Sequence, residues 1–187
     1  MTQAVFNPGY TFRNPDLLQQ ALHHPSLPFT PPSPYERLEF LGDRVLGLVI
    51  AQLLYERFLG DHEGQLARHF VSLVRKETLA EVAKKIGLDQ TLMISKGEIA
   101  AGGRENPSIL ADSCEALIAA VYMDGGLEAA REFILLHWMP LVENIDQLDQ
   151  QDPKSALQEM ALKLGFKRIQ KNNQCNQRRQ DVWSILL

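Results

Sequence analysis

The 187-residue sequence predicts an all-α fold, a helical bundle. Three observations lead there. Apolar residues recur at helical spacing through most of the chain. No stretch of useful length alternates apolar and polar residues as a half-buried strand would. Glycine and proline cluster at the points where helices would have to stop.

The elements follow in order. Leu17, Leu18, Ala21 and Leu22 are spaced for one short amphipathic helix. Pro25, Pro28, Pro31, Pro32 and Pro34 then forbid continuation, so this segment is a loop. From about Tyr35 to Phe58 no proline interrupts, and apolar residues cover most of the helix circumference. Such a helix is expected in the middle of a bundle. Gly60 to Gly64 reads as a turn. Leu66 to Ile86 reads as one or two helices closed by Gly87, a C-cap candidate. Ile99 to Pro107, with Gly102 and Gly103, reads as a loop. Leu110 to Met123 is a second strongly apolar helix, stopped by Asp124-Gly125-Gly126. Leu127 to Ile145 is another, kinked or divided by Pro140. Asp146 to Asp152 is polar and reads as a linker, and Ser155 to Leu164 as a last amphipathic helix ended by Gly165.

Composition narrows the class. Apolar residues make up 45% of the chain, enough for a sizeable core. The formal charge of -4 and pI of about 5.7 do not fit a simple basic nucleic-acid binder, unless acids cluster around cations that invert the local field. Cys114 and Cys175 lack zinc-ligand spacing and suit a reducing, cytoplasmic setting. The N-terminal residues form no signal-like segment. The longest apolar run, Val45 to Ala51, falls far short of the roughly 20 residues of a membrane span, so no membrane partner is expected.

The informative feature is acid inside the two most apolar helices. Glu36, Glu39 and Asp43 fall at i, i+3 and i+7 and share one face. Asp112 and Glu115, at i and i+3, share another. Like charges at this spacing repel, and burying them unpaired costs several kcal/mol. An oxygen-only ligand set of this kind suits Mg²⁺, or Mn²⁺ in its place. Glu63, in the turn beyond the first long helix, is a sixth acid within reach of such a site. Each piece also has a plainer explanation. Glu36 and Glu39 lie in a first turn, where acids favour the helix dipole. Asp112 and Glu115 match a capping box. Glu63 is a solvated turn residue as readily as a ligand. Asp43, two turns into an apolar helix beside Gly42, fits neither cap nor dipole. The five histidines have no metal-site or triad spacing, and none is assigned a catalytic role.

Glu36-Arg37-Leu38-Glu39-Phe40-Leu41-Gly42-Asp43 resembles the signature segment of the ribonuclease III family. Glu63-Gly64-Gln65-Leu66-Ala67-Arg68 resembles its second block. Ile109 to Ile118 with Tyr122 to Gly126 resembles its third. The likeness covers roughly residues 5 to 145. It implies the helical-bundle ribonuclease III endonuclease domain. It also implies Mg²⁺-dependent hydrolysis of double-stranded RNA to 5′-phosphate and 3′-hydroxyl ends, with no small-molecule organic cofactor. Glu39, Asp43, Asp112 and Glu115 would be the inner acids that hold metal, with Asp43 and Glu115 the catalytic pair. Glu36 and Glu63 would be outer acids shaping the RNA-binding valley. The family acts as a homodimer, with Phe40 a contact residue; the plainer alternative for Phe40 is a core aromatic. Precursors of ribosomal, messenger and transfer RNA are the implied substrates. Arg37, Arg44, Arg68 and Arg104 are candidate phosphate contacts or, more simply, surface salt-bridge partners. Arg44 departs from the small residue usual at its position.

On this reading residues 1–146 form the catalytic domain, 147–153 a linker, and 154–187 an incomplete remnant of a double-stranded-RNA-binding domain with a disordered tail. Asp152 to Glu159 resembles that domain's first helix, and the likeness ends after about Lys167. Weaker, salt-sensitive RNA binding is the expected consequence. Two other classes compete: a non-catalytic helical scaffold that holds structured RNA, and an unrelated helical interaction module. Retention of all six acids favours the enzyme over the scaffold, and metal binding separates it from the module.

Overall fold

The computed structural model describes residues 6–29 and 31–151. The chain divides into two compact units, Met1–Ile145 and Asp146–Leu187, and the site lies in the first. The remnant expected at 154–187 lies outside the described residues. So does the end of the expected linker, and the backbone through Gln151 is helical.

The regular elements among the described residues are all helices, with a single isolated bridge between His23 and Met93. Helix α1 (Pro15–Leu22) starts at Asn14, whose side chain accepts from the Asp16 N–H, with Pro15 in the first turn where its missing donor costs nothing. Helix α2 (Pro34–Arg57) repeats the device, with Ser33 as cap and Pro34 at its first position. Helix α3 (Glu63–Val74) opens on a reciprocal cap: the His62 ring accepts from Gln65 N–H, and the Gln65 side chain accepts from His62 N–H. Arg75, extended at φ -71 and ψ 155, separates α3 from α4 (Lys76–Lys85). Gly87 follows at φ 79, the left-handed conformation that ends helices and favours glycine. Two short helices come next, α5 (Leu88–Thr91) and α6 (Lys96–Ala100), then a 3-10 turn at Gly103–Glu105. Part of this stretch was expected as loop, because helices of one turn leave no periodic signal.

The long final helix, α7 (Pro107–Gln151), starts three residues before the expected position and is broken at Gly126 (φ 79, ψ -174). That is the stop expected at Asp124-Gly125-Gly126, although helix resumes at once. Asp124 ties down the N-terminal segment by accepting from the Tyr10 hydroxyl and from the Arg13 and Asn14 N–H groups, at 2.8, 2.8 and 2.9 Å.

The centre of the bundle is α7, where Leu110, Cys114, Ala116, Leu117, Ile118 and Val121 are fully buried. Trp138, on the same helix, is also fully buried and donates its indole N–H to the Leu73 carbonyl at 2.9 Å. The expectation that α2 is enclosed all round is corrected. Leu38, Val45, Leu46, Val49, Ile50 and Leu54 face the core, whereas Phe40, Leu48 and Tyr55 are 67%, 57% and 73% exposed. The described residues cover only one side of this helix. No helix among the described residues is long and apolar enough to cross a membrane.

Candidate metal centre

Helices α2 and α7 approach each other unusually closely at one point. A Cβ added to Gly42 would lie 1.8 Å from the carbonyl oxygen of Glu115 and 2.5 Å from its carbonyl carbon. Only glycine permits this approach. A second tie lies two turns earlier on α2: the buried Tyr35 hydroxyl is 2.9 Å from Ser113 Oγ, and Ser113 donates to the Ile109 carbonyl at 2.6 Å. Glu39 and Asp43 flank Gly42 along α2, and Asp112 and Glu115 share a face of α7. The crossing therefore sets acids from both helices against one another.

One carboxylate oxygen from each of Glu39, Asp112 and Glu115 lies within 4.8 Å of the others, and all three residues are partly buried. Their proton affinities record the crowding. Burial pushes the Glu115 carboxyl up to about 8, reinforced by the charges of Asp43, Asp112 and Glu39 and opposed by Lys76. Burial also raises Glu39, with Asp112 and Glu36 adding to the effect. Asp112 is raised by burial, against opposing contributions from Lys76 and His24. Ligands of Mg²⁺ at about 2.0–2.1 Å in an octahedron stand at most about 4.2 Å apart, so small rotations of three flexible side chains suffice to close on an ion. Hard oxygen donors, partial burial and mutual repulsion relieved by a cation all fit a divalent metal.

The other expected site residues lie around this core. Asp43 directs its charge at Glu115 and Glu39, but its carboxylate is paired with the Arg44 guanidinium and its side chain is 45% exposed. It stands at the rim rather than among the three converging oxygens. Glu36, exposed in the first turn of α2, acts on Glu39 through its charge. Glu63 is exposed and is the first residue of α3 rather than part of the preceding turn, so the helix dipole accounts for it as well as a ligand role does. The capping-box explanation of Asp112 fails, because α7 begins at Pro107 and Asp112 lies beyond its first turn. Phe40 is not a core aromatic: it is exposed, with the Arg44 guanidinium 5.3 Å from its ring centre.

Arg68 and Arg104 donate to the backbone carbonyls of Gly64 and Asp89, local roles that need no phosphate. The histidines mostly hold structure. His62 caps α3, His69 lies 3.1 Å from Asp61, and His137 lies 3.0 Å from the Pro8 carbonyl. Sequence reasoning passed over Lys76. Its charge reaches all three clustered carboxyls, yet an isolated lysine after Arg75 carries no signal of a site.

A family model described as Ribonuclease-III-like matches residues 14–141. A curated Ribonuclease 3 from Anaplasma phagocytophilum is 48% identical over 162 residues, 86% of this chain and 69% of that protein. The chain belongs to the ribonuclease III family. Another relative, Ribonuclease 3 from Dinoroseobacter shibae, is 48% identical over 84% of this chain and 69% of its own length. The chain spans about two thirds of the length of such relatives, 65% for those from Anaplasma marginale. Among solved structures, the ribonuclease III nuclease domain of Campylobacter jejuni matches with a TM-score of 0.64 at 37% identity, covering 70% of this chain and 93% of that one. That structure is described as showing flexibility in a region involved in dimer formation of the Campylobacter domain. A second structure of the same domain gives 0.63 at 34% identity over 78% and 91%. Membership of a hydrolytic, RNA-cutting family removes the unrelated helical module from consideration. The matched residues, 14–141, include both sides of the Gly42 crossing.

Proposed function

We propose that this chain is a double-strand-specific endoribonuclease. It hydrolyses phosphodiesters with Mg²⁺, or Mn²⁺ in its place, to leave 5′-phosphate and 3′-hydroxyl ends. The observation that carries the reading is the convergence of Glu39, Asp112 and Glu115 across a helix crossing only glycine allows. Carboxylates held at this proximity and lifted in proton affinity are a poor end state for a chain without a ligand. Glu39, Asp112 and Glu115 would hold the ion, with Asp43 at the rim. Bound there, a divalent ion supplies charge neutralisation at the phosphate and acidifies water near neutral pH. The chain's own acids fix the position of that charge, and Glu115 stores a proton at neutral pH that ion binding would displace. Retention of Glu36, Glu39, Asp43, Glu63, Asp112 and Glu115 together argues against a scaffold that has lost catalysis.

The active unit in this reading is a homodimer. Phe40, Leu48 and Tyr55 recur at i, i+8 and i+15 along the uncovered side of α2. Phe40 also edges a groove of about 700 Å³ lined by Leu17, Pro34, Arg37, Leu41 and Met123. A second copy related by a two-fold axis would cover both at once and set one acid cluster for each RNA strand. Duplex RNA would be read by shape, phosphates and 2′-hydroxyls rather than by sequence. Ribosomal, messenger and transfer RNA precursors in the cytoplasm are the substrates and setting that family membership suggests.

The test is incubation with a long RNA duplex in Mg²⁺, in chelator, and with a single-stranded control. Cleavage only of the duplex and only with metal, giving ends that a ligase needing a 5′-phosphate can rejoin, is the expected result. No cleavage by the folded, dimeric protein at any Mg²⁺ or Mn²⁺ concentration would remove the enzyme reading.

A further inference from the structure

Lys76 stands where helix electrostatics disfavour it. It is the first residue of α4, and α4 has no side-chain hydrogen bond at its cap. The N-terminal turn of a helix carries partial positive charge, so a cation there is unfavourable to the helix itself. Its neighbour Arg75 is accommodated locally, with Nε 3.9 Å from Glu77 and 3.5 Å from Thr78 Oγ1. Lys76 instead reaches across to α7, where its ammonium donates to Ser108 Oγ at a long 3.4 Å. No carboxylate among the described residues lies within ion-pair distance of it.

The place where it is held is informative. Ser108, Asp112 and Glu115 fall at i, i+4 and i+7 of α7 and so share one face. The ammonium is held by Ser108, which thus ends the row, about one turn, or ~6 Å along the helix axis, before Asp112. Had its role been to neutralise the acids, four methylenes would have let it collapse onto one of them. It is parked on a neutral hydroxyl instead, in a long bond that a charged oxygen would readily displace. A phosphodiester approaching the acids meets their repulsion, which the metal and, at this end of the row, the Lys76 ammonium would offset.

We propose that Lys76 is a ligand for a phosphate oxygen of the RNA backbone, exchanging Ser108 for the phosphate when substrate enters beside the metal. This rests on the nuclease reading above. The role is binding rather than chemistry: a point charge on a flexible stem fixes a phosphate without demanding one geometry. The same charge also opposes the metal's approach to the free site, so removing it should have opposite effects on the two ligands.

The variants are Lys76→Met, which keeps the stem and loses the charge, and Lys76→Arg, which keeps the charge. Lys76 is exposed, so both should melt close to the unsubstituted protein. Two equilibria are measured: Mn²⁺ binding without RNA, and binding of a short labelled RNA duplex in Ca²⁺ across a salt series. For Lys76→Met, Mn²⁺ should bind several-fold more tightly. The salt dependence of RNA binding should flatten by about one unit of slope per protomer engaged. In cleavage assays KM should rise several-fold while kcat holds within about two-fold, the pattern of an interaction made equally in ground and transition states. Lys76→Arg should restore the slope. If Lys76→Met leaves the salt slope and KM unchanged, or lowers kcat alone, the assignment of Lys76 is wrong while the nuclease reading stands. If the unsubstituted protein neither binds Mn²⁺ nor cleaves, the nuclease reading fails first.

Discussion

Replacing Gly42 with alanine tests the geometry on which the metal centre depends. The new Cβ would sit 1.8 Å from the Glu115 carbonyl oxygen, whereas carbon and oxygen rest at about 3.3 Å or more. The shortfall of about 1.5 Å falls on backbone of both helices, so neither side can yield by turning a side chain; α2 and α7 must move apart. Overpacking of this kind costs about 1–3 kcal/mol and occasionally more. The helix-propensity gain from replacing glycine offsets only about 0.8–1.0 kcal/mol. A clash this deep against backbone belongs at the upper end of that range, so a net loss of about 2 kcal/mol should lower the midpoint of metal-free thermal unfolding by roughly 4–8 °C for a chain of this size. The site should suffer more than the fold. Adding about 1.5 Å to oxygens now within 4.8 Å of one another would set them up to about 6 Å apart, too far beyond the roughly 4.2 Å that an octahedral ion of this size spans for small side-chain rotations to close. Calorimetric titration with Mn²⁺ should then show affinity at least about tenfold weaker. Gly47 on the same helix is the control, since its added Cβ meets only the Phe70 ring at 3.6 Å, an ordinary contact. Gly47→Ala should be neutral or stabilising in the same melt. If Gly42→Ala melts no lower than the unsubstituted protein and binds Mn²⁺ equally well, the close crossing does not organise the site.

The raised carboxyls give a pH dependence of known sign. Glu115 titrates at about 8 in the folded chain, against 4.5 for an ordinary glutamate. The folded state therefore binds the proton more tightly than the unfolded state, and the associated stability is present below about 4.5 and lost as pH rises towards about 8. Metal-free melting midpoints should fall across that window, and Glu115→Gln should remove part of the fall, with Glu39 and Asp112 contributing the same sign. Calorimetry in buffers of different ionisation enthalpy should show proton release on Mn²⁺ binding near neutral pH. A flat metal-free profile would contradict this account. Phe40→Ala tests the uncovered face of α2. Phe40 is 67% exposed in the single chain, so monomer stability should hardly change. If it anchors a dimer contact worth about 2 kcal/mol per copy, the two copies together lose about 4 kcal/mol, and sedimentation should show dissociation at concentrations about 10³-fold higher. An unchanged dimer would place the interface elsewhere.

The sequence by itself determined the helices, because their information is local. Apolar period, the caps at Asn14 and Ser33, and the glycines at 87 and 126 each act within a turn or two. It also determined which acids share a face of one helix, since i, i+3 and i+7 spacing is a property of the helix alone. What it left open are relations between residues about 70 positions apart. In sequence Gly42 stands only as the neighbour of Asp43; the packing shows it as the contact that admits the Glu115 backbone. Resemblance alone divided the six acids into four inner and two outer. The crossing selects Glu39, Asp112 and Glu115, leaves Asp43 on Arg44 at the rim, and places Glu36 and Glu63 on exposed first turns. The apolar circumference of α2 was legible, but not that the described residues cover only one side of it. Lys76 was silent because its meaning comes from Ser108 on another helix. Periodicity fixes direction around a helix axis; where two axes meet, and at what distance, is fixed only when the side chains of both pack together.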